Sequence, residues 1–141
     1  VDHFKKFNDT YGHDVGDQVL QMVAARLESV TGGGRAFRYG GEEFTVLFPG
    51  KDTEAVKIHL ENLREAIAGS SFALRGDDRP ETAPKGKNGA AANKKPKTVS
   101  VTVSMGVAQP SIEATDPDAV MKEADKALYK AKKAGRNRVV T

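Results

Sequence analysis

The chain has 141 residues, of which 38% are hydrophobic, and its 22 Lys and Arg against 19 Asp and Glu give a net charge of +3. That is enough apolar material for one core in one domain, and the absence of cysteine excludes disulfides and thiolate chemistry and fits a reducing compartment. No apolar run approaches the roughly 18 residues that span a bilayer, and no secretory signal opens the chain, so a soluble domain is expected.

In chain order, Phe4 to Tyr11 is predicted as a short helix and Gly12 to Gly16 as a turn. A longer helix from Asp14 to Val30 carries Val19, Leu20, Val23, Ala24, Leu27 and Val30 at helical spacing, and Gly32-Gly33-Gly34 ends it. Strands follow at Arg35 to Tyr39 and Glu43 to Phe48, then a helix from Thr53 to Ala68 with Val56, Leu60, Leu63 and Ile67 inward. Ser71 to Leu74 and Thr98 to Val107 read as a strand pair, joined through residues 75–97. The last helix is capped by Asp116, has Pro117 in its first turn and is closed by Gly135. Asn137 to Val140 makes a final strand. This order predicts an α+β fold, a central antiparallel-rich sheet flanked by helices.

Residues 75–97 hold seven of the Lys and Arg and three of the Asp and Glu, a local charge of +4 that leaves −1 for the remainder. Apart from Thr82 the segment has no β-branched or aromatic residue, cannot bury a core, and reads as a disordered basic insertion. Closure entropy grows only logarithmically with loop length, so the insertion costs the fold little. A nucleic-acid footprint over the folded body is not supported.

The chemistry concentrates at Gly40-Gly41-Glu42-Glu43-Phe44. Two glycines permit a tight hairpin and close approach of a phosphate to the backbone. The two acids that follow point to opposite faces of the next strand, so they are not expected to share one job. Taken alone, adjacent acids at a hairpin tip are more often solvated turn residues than ligands.

Three separated motifs agree in order and spacing with one family. The opening Val1-Asp2-His3-Phe4-Lys5-Lys6-Phe7-Asn8-Asp9-Thr10-Tyr11-Gly12-His13-Asp14-Val15-Gly16-Asp17, the Gly-Gly-Glu-Glu-Phe hairpin and the later Tyr129-Lys130-Ala131-Lys132-Lys133-Ala134-Gly135-Arg136-Asn137 together resemble the GGDEF family of diguanylate cyclases, in its GGEEF variant. The resemblance covers nearly the whole of 1–141 except residues 75–97. It implies the ferredoxin-like palm of class III nucleotidyl cyclases and polymerases, and condensation of two GTP into cyclic di-GMP with release of two pyrophosphates.

By the same resemblance, Glu42 and Glu43 are the catalytic acids and, with the carbonyl of Val1, the protein's metal ligands for two Mg²⁺, or Mn²⁺. Glu43 holds the second ion or helps take the proton from the attacking 3′-hydroxyl. Backbone N–H groups of His3 and Phe4, at a helix start whose dipole favours anions, are expected to bind phosphate oxygens beside Lys5. Lys132 and Arg136, four apart, are expected on one helix face gripping the same triphosphate. Asn8 and Asp17 select the base: a carboxylate accepts from N1–H and the N2 amino group of guanine, whereas adenine has no donor at N1.

Two departures stand out. The family's opening motif reads Asp-x-Asp-x-Phe-Lys and its first Asp is a metal ligand, whereas this sequence begins at the residue after it. Asp2 matches the second Asp and faces the other way on a strand, so it does not inherit that role. A parent protein is expected to supply the Asp, most of the first strand and a sensory domain that brings two copies together, since a two-fold product needs a homodimer. A cytoplasmic location follows, with tethering to a membrane sensor left open. The second departure is regulatory: the Arg-x-x-Asp product-inhibition motif of many members falls on Thr31 and Gly34. The rival readings are a non-catalytic receptor for GTP or cyclic di-GMP and a nucleic-acid module acting through the basic segment.

Overall fold

The computed structural model describes residues 1–74 and 97–141. Ten elements follow one another: α1 (Phe4–Tyr11), α2 (His13–Glu28), β1 (Arg35–Gly40), β2 (Glu43–Leu47), α3 (Thr53–Ala68), β3 (Ser71–Ala73), β4 (Thr98–Ser100), β5 (Met105–Gly106), α4 (Pro117–Lys133) and β6 (Val139–Val140). The expected α+β fold is present. Most of the basic insertion read at 75–97 lies outside the described residues.

Helix ends follow local chemistry. Asp52 caps α3 by accepting from the Ala55 N–H at 2.8 Å, and Asp116 caps α4 by accepting from the Ala119 N–H at 2.9 Å, with Pro117 at the first helical position. The expected turn over Gly12 to Gly16 is shorter in the structure. Only Gly12, at φ 87°, separates α1 from α2, and His13 and Asp14 already form the first turn of α2. Gly16 is helical because Asn8 and Phe4 of α1 lie where its Cβ would be. A missing side chain here marks a close helix crossing, not a turn.

The core joins Val19, Leu20, Val23 and Leu27 of α2 to Val56, Leu60, Leu63 and Ile67 of α3, with Phe4 and Phe7 of α1 and Val99, Val101 and Val103 beneath. Val19, Val23 and Ile67 are fully buried, each contributing about 1.5–3 kcal/mol from removal of apolar surface. Helix α4 has a seam of small residues, Ala127 and Ala131, both buried. Gly106 brings β5 against the backbone of Ala124 and Leu128 of α4.

The strands form three separate ladders rather than one sheet: antiparallel β1–β2, antiparallel β3–β4 and parallel β5–β6. The expected strand from Thr98 to Val107 is interrupted at Val101–Ser104, where the only backbone bond outside the ladders is from the Asp2 N–H to the Thr102 carbonyl at 2.9 Å. A strand needs a neighbour for its N–H and C=O groups. Among the described residues no ladder joins this segment to β2, and both line one cavity. The final strand is likewise shorter than expected, because Asn137 has left-handed φ of 45° and spends its N–H on Asp2.

Candidate active site

The hairpin β1–β2 presents the two acids. Its register pairs Arg38 with Phe44 and Gly40 with Glu43, leaving Tyr39 as an extra residue that bends the ladder just before the turn. Gly41 takes φ 53°, a conformation that glycine reaches without a Cβ penalty. The Arg38 Nε and Nη2 groups donate to the Gly41 carbonyl at 3.3 and 2.9 Å, locking the turn from one side. Past the turn Glu42 is half-buried and Glu43 exposed, in keeping with the opposite facing read from the alternation.

Two cavities flank this hairpin. The larger, about 750 Å³, is lined by Val1, Asp2, Glu42, Glu43 and Lys132 among others. The smaller, about 440 Å³, lies between α2 and β1 and is lined by Asp17, Leu20, Gln21, Glu28 and Arg38. Leu27 and Phe44 line both, so the cavities adjoin through the apolar side of the hairpin. The Val1 backbone nitrogen donates to the Glu42 backbone carbonyl at 3.1 Å, which ties this residue to the hairpin.

Helix α1 starts sharply. His3 is its N-cap in left-handed conformation, φ 55°, without a side-chain cap bond. The first N–H groups of a helix lack intrahelical acceptors, and here they are those of Phe4 and the residues after it, with Lys5 exposed and Phe4 buried beneath. Asn8, on the next turn, is half-buried. Its Oδ1 is the one buried side-chain oxygen or nitrogen without a hydrogen-bond partner among the described residues. It lies against Gly16, next to Asp17, and Asn8 lines neither of the two cavities.

Lys132 and Arg136 do not share one helix face. Helix α4 ends at Lys133, Gly135 takes φ 108°, and Arg136 follows at φ 63°. The Arg136 N–H returns to the Ala131 carbonyl at 2.9 Å, the long bond of a Schellman-type end. Lys132 therefore projects from the helix into the larger cavity, while Arg136 sits half-buried on the turn beyond it.

Sequence reasoning missed what Asp2 does. Its carboxylate is buried and accepts from Ser104 Oγ at 2.7 Å, Thr102 Oγ1 at 2.8 Å and the Asn137 N–H at 3.1 Å. Burial alone would raise the Asp2 carboxyl, but the hydrogen bonds from Ser104, Thr102 and Asn137 outweigh it and hold it below the ordinary carboxylate value. The signals in the sequence were the match of Asp2 to the second Asp of the family motif and its place just before the amphipathic helix α1.

Oxygen donors dominate the metal candidates. The Glu42 and Glu43 carboxylates and the Val1 carbonyl contain no nitrogen or sulfur ligand and suit a hard cation such as Mg²⁺ or Mn²⁺. Among the described residues no third His, Cys, Asp or Glu joins the pair, so substrate oxygens, water or further protein groups would complete a shell.

With that geometry in hand, the family profile described as "Diguanylate cyclase, GGDEF domain" matches residues 1–95 and 86–138. The chain belongs to the GGDEF family. Response regulator PleD of Caulobacter vibrioides is 40% identical to this GGDEF domain over 144 residues, covering 99% of the chain and 27% of that protein. Probable diguanylate cyclase DgcT of Escherichia coli is 40% identical over 141 residues, with the same coverage. The crystal structure of the GGDEF domain of DgcB from Caulobacter crescentus in complex with c-di-GMP superposes with a TM-score of 0.78 at 35% identity, covering 99% of this chain and 71% of that one. The chain thus spans about a quarter of the length of the curated relatives it matches, and no described helix is long and apolar enough to cross a membrane.

Proposed function

We propose that this domain is a diguanylate cyclase that condenses two GTP into cyclic di-GMP and two pyrophosphates. The observation that carries the reading is the shared cavity: Glu42, Glu43, Val1 and Lys132 line one space, and Asp17 lines the space adjoining it. Acids and a cation thus share one space, and the proposed guanine acceptor lines a neighbouring one.

In the proposed reaction the 3′-hydroxyl oxygen of one GTP forms a bond to the α-phosphorus of the other. The bond from that phosphorus to the bridging oxygen of the β-phosphate breaks and pyrophosphate leaves; the reciprocal attack by the second 3′-hydroxyl on the first GTP's α-phosphorus closes the ring and releases the second pyrophosphate. Glu42 and Glu43, with the Val1 carbonyl, would hold two Mg²⁺, which supply charge stabilisation at the phosphoryl oxygens when bound. Glu43, the exposed acid, is the candidate to take the hydroxyl proton. The N–H groups of His3 and Phe4 with Lys5 receive phosphate oxygens on one side, and Lys132 and Arg136 from the other. Asp17 and Asn8 hold the guanine edge, and ATP is rejected because adenine leaves the Asp17 charge unpaired.

Each domain binds one GTP, so a two-fold product requires two domains face to face. The relatives' greater length supports a parent chain whose other segments, a sensor among them, bring the copies together in the cytoplasm. Neither nucleic acid nor membrane is a partner of the domain itself.

The test is Mg²⁺-dependent turnover of GTP by the full-length protein. Glu42→Ala is expected to leave less than about one hundredth of wild-type product formation, beyond what loss of an outer-shell contact costs. Equal turnover in Glu42→Ala would remove these acids from the mechanism. Tight GTP binding without turnover in the wild type would make the domain a receptor.

A further inference from the structure

We propose that Asp2 is a positioning residue for the triphosphate end of the site, tying the turn into α1 to the turn after α4. The proposal rests on the GTP reading above, because it concerns how the groups assigned to the phosphates are held.

Among the described residues, three that are not glycine have left-handed φ: His3 at 55°, Arg136 at 63° and Asn137 at 45°. Outside glycine this conformation is uncommon and persists where surrounding contacts determine it. They lie in two turns, one beside Asp2 in the chain and one bonded to its carboxylate through Asn137. His3 follows Asp2 in the chain, and Asn137 N–H donates to Asp2 Oδ2 at 3.1 Å. Arg136 is the residue before Asn137. Two of the three, His3 and Arg136, are residues assigned to phosphate binding.

Asp2 is anchored independently of both turns. Its own N–H donates to the Thr102 carbonyl at 2.9 Å, Thr102 Oγ1 donates to Oδ2 at 2.8 Å and Ser104 Oγ to Oδ1 at 2.7 Å. With 6% exposure, the carboxylate cannot trade these donors for water. The far turn has a second tether, since Arg64 Nη1 of α3 donates to Asn137 Oδ1 at 3.0 Å. The arrangement therefore fixes the start of α1 and the Arg136 turn against the same two residues of the core-facing segment Val101–Ser104.

Removing the carboxylate frees two hydroxyls that can rotate to other partners and one backbone N–H that cannot. The Asn137 turn then has less reason to stay left-handed, and Arg136 moves with it. An amide keeps the tie: Asn at position 2 accepts from Thr102 and Asn137 through its oxygen and donates to Ser104 Oγ through its NH₂. Charge is thus not required, but the three-way bonding is.

The test measures equilibrium binding of guanosine and of a non-hydrolysable GTP analogue, with Mg²⁺, to the full-length protein. In Asp2→Ala the Kd for the analogue is expected to rise about tenfold, the scale on which supporting contacts act, while guanosine binding is unchanged. Asp2→Asn is expected to bind both ligands as wild type does. Weakening of both ligands in equal ratio, or of neither, would overturn the proposal and leave Asp2 a purely structural acid. A wild type that binds neither ligand would remove the GTP reading and the proposal together. Should Asp2→Ala not fold, Thr102→Val takes one donor from Oδ2 and keeps the Asn137 bond. It must then weaken the analogue more than guanosine, and an equal effect on both overturns the proposal.

Discussion

Asp17 stands at the surface end of the smaller cavity, one residue after the glycine that lets α2 touch Asn8. In isolation an acid in the first turns of a helix is ordinary dipole complement, so its assignment came from the motif and not from local chemistry. A charged acceptor on guanine is worth about 1.5–3 kcal/mol. Asp17→Asn is therefore expected to lower kcat/KM for GTP at least about tenfold and to narrow the preference over ATP, read from steady-state rates with each nucleotide; unchanged selectivity would move base recognition elsewhere. Asp2 shows the opposite case. Its three partners lie 100 or more residues along the chain, and no local pattern of residue types announces such a meeting. The motif supplied the role proposed for Asp17, whereas a meeting created by long-range convergence has no local signal.

Helices were legible because capping and periodicity act within a few residues. Asp116 was placed at the start of α4 by the same oxygen that accepts there, and the start of α3 read at Thr53 follows the Asp52 cap that the structure shows. Two of the corrections at this scale concern glycine. Gly16 was taken for a turn residue and is a contact surface. Gly135 was known to close the last helix, but its consequence, that Arg136 leaves the face of Lys132, depends on the left-handed turn that follows. Gly106 is the sharper instance of a contact glycine, since any Cβ would meet the backbone of Ala124 and Leu128. Backbone cannot step aside as a side-chain tip can, so Gly106→Ala is expected to cost about 3 kcal/mol, measured by denaturant unfolding, whereas a change under 1 kcal/mol would mean that α4 shifts freely on β5.

The corner between α2 and β1 is also decided by contacts. Thr31 Oγ1 shares a hydrogen bond of 2.7 Å with His59 Nδ1 of α3, and a side chain at Gly34 would meet Phe48 and Val30 at 2.8 Å. Thr31 and Gly34, on which the Arg-x-x-Asp motif was expected to fall, thus hold a hydroxyl–imidazole hydrogen bond and a closely packed glycine. Cyclic di-GMP is expected not to inhibit noncompetitively through this corner. Tight noncompetitive inhibition that is lost on changing Thr31 would contradict that.

At the scale of the molecule the α+β order was readable from alternation of periods, but the division of the strands into three ladders was not. Pairing depends on which strand occupies each neighbouring position, and Val101–Ser104 has the composition of a strand without a ladder to join. The cavity lined by that segment and β2 is lined also by the acids, Val1 and Lys132. A product with two-fold symmetry then requires two such sites facing each other. The measurement that tests this most directly is the stoichiometry of products from GTP and Mg²⁺ on the full-length protein, with nucleotides separated chromatographically and pyrophosphate counted. Two pyrophosphates for each cyclic di-GMP are predicted, whereas a cyclic mononucleotide released with a single pyrophosphate, or bound GTP that is never turned over, would contradict the diguanylate cyclase reading.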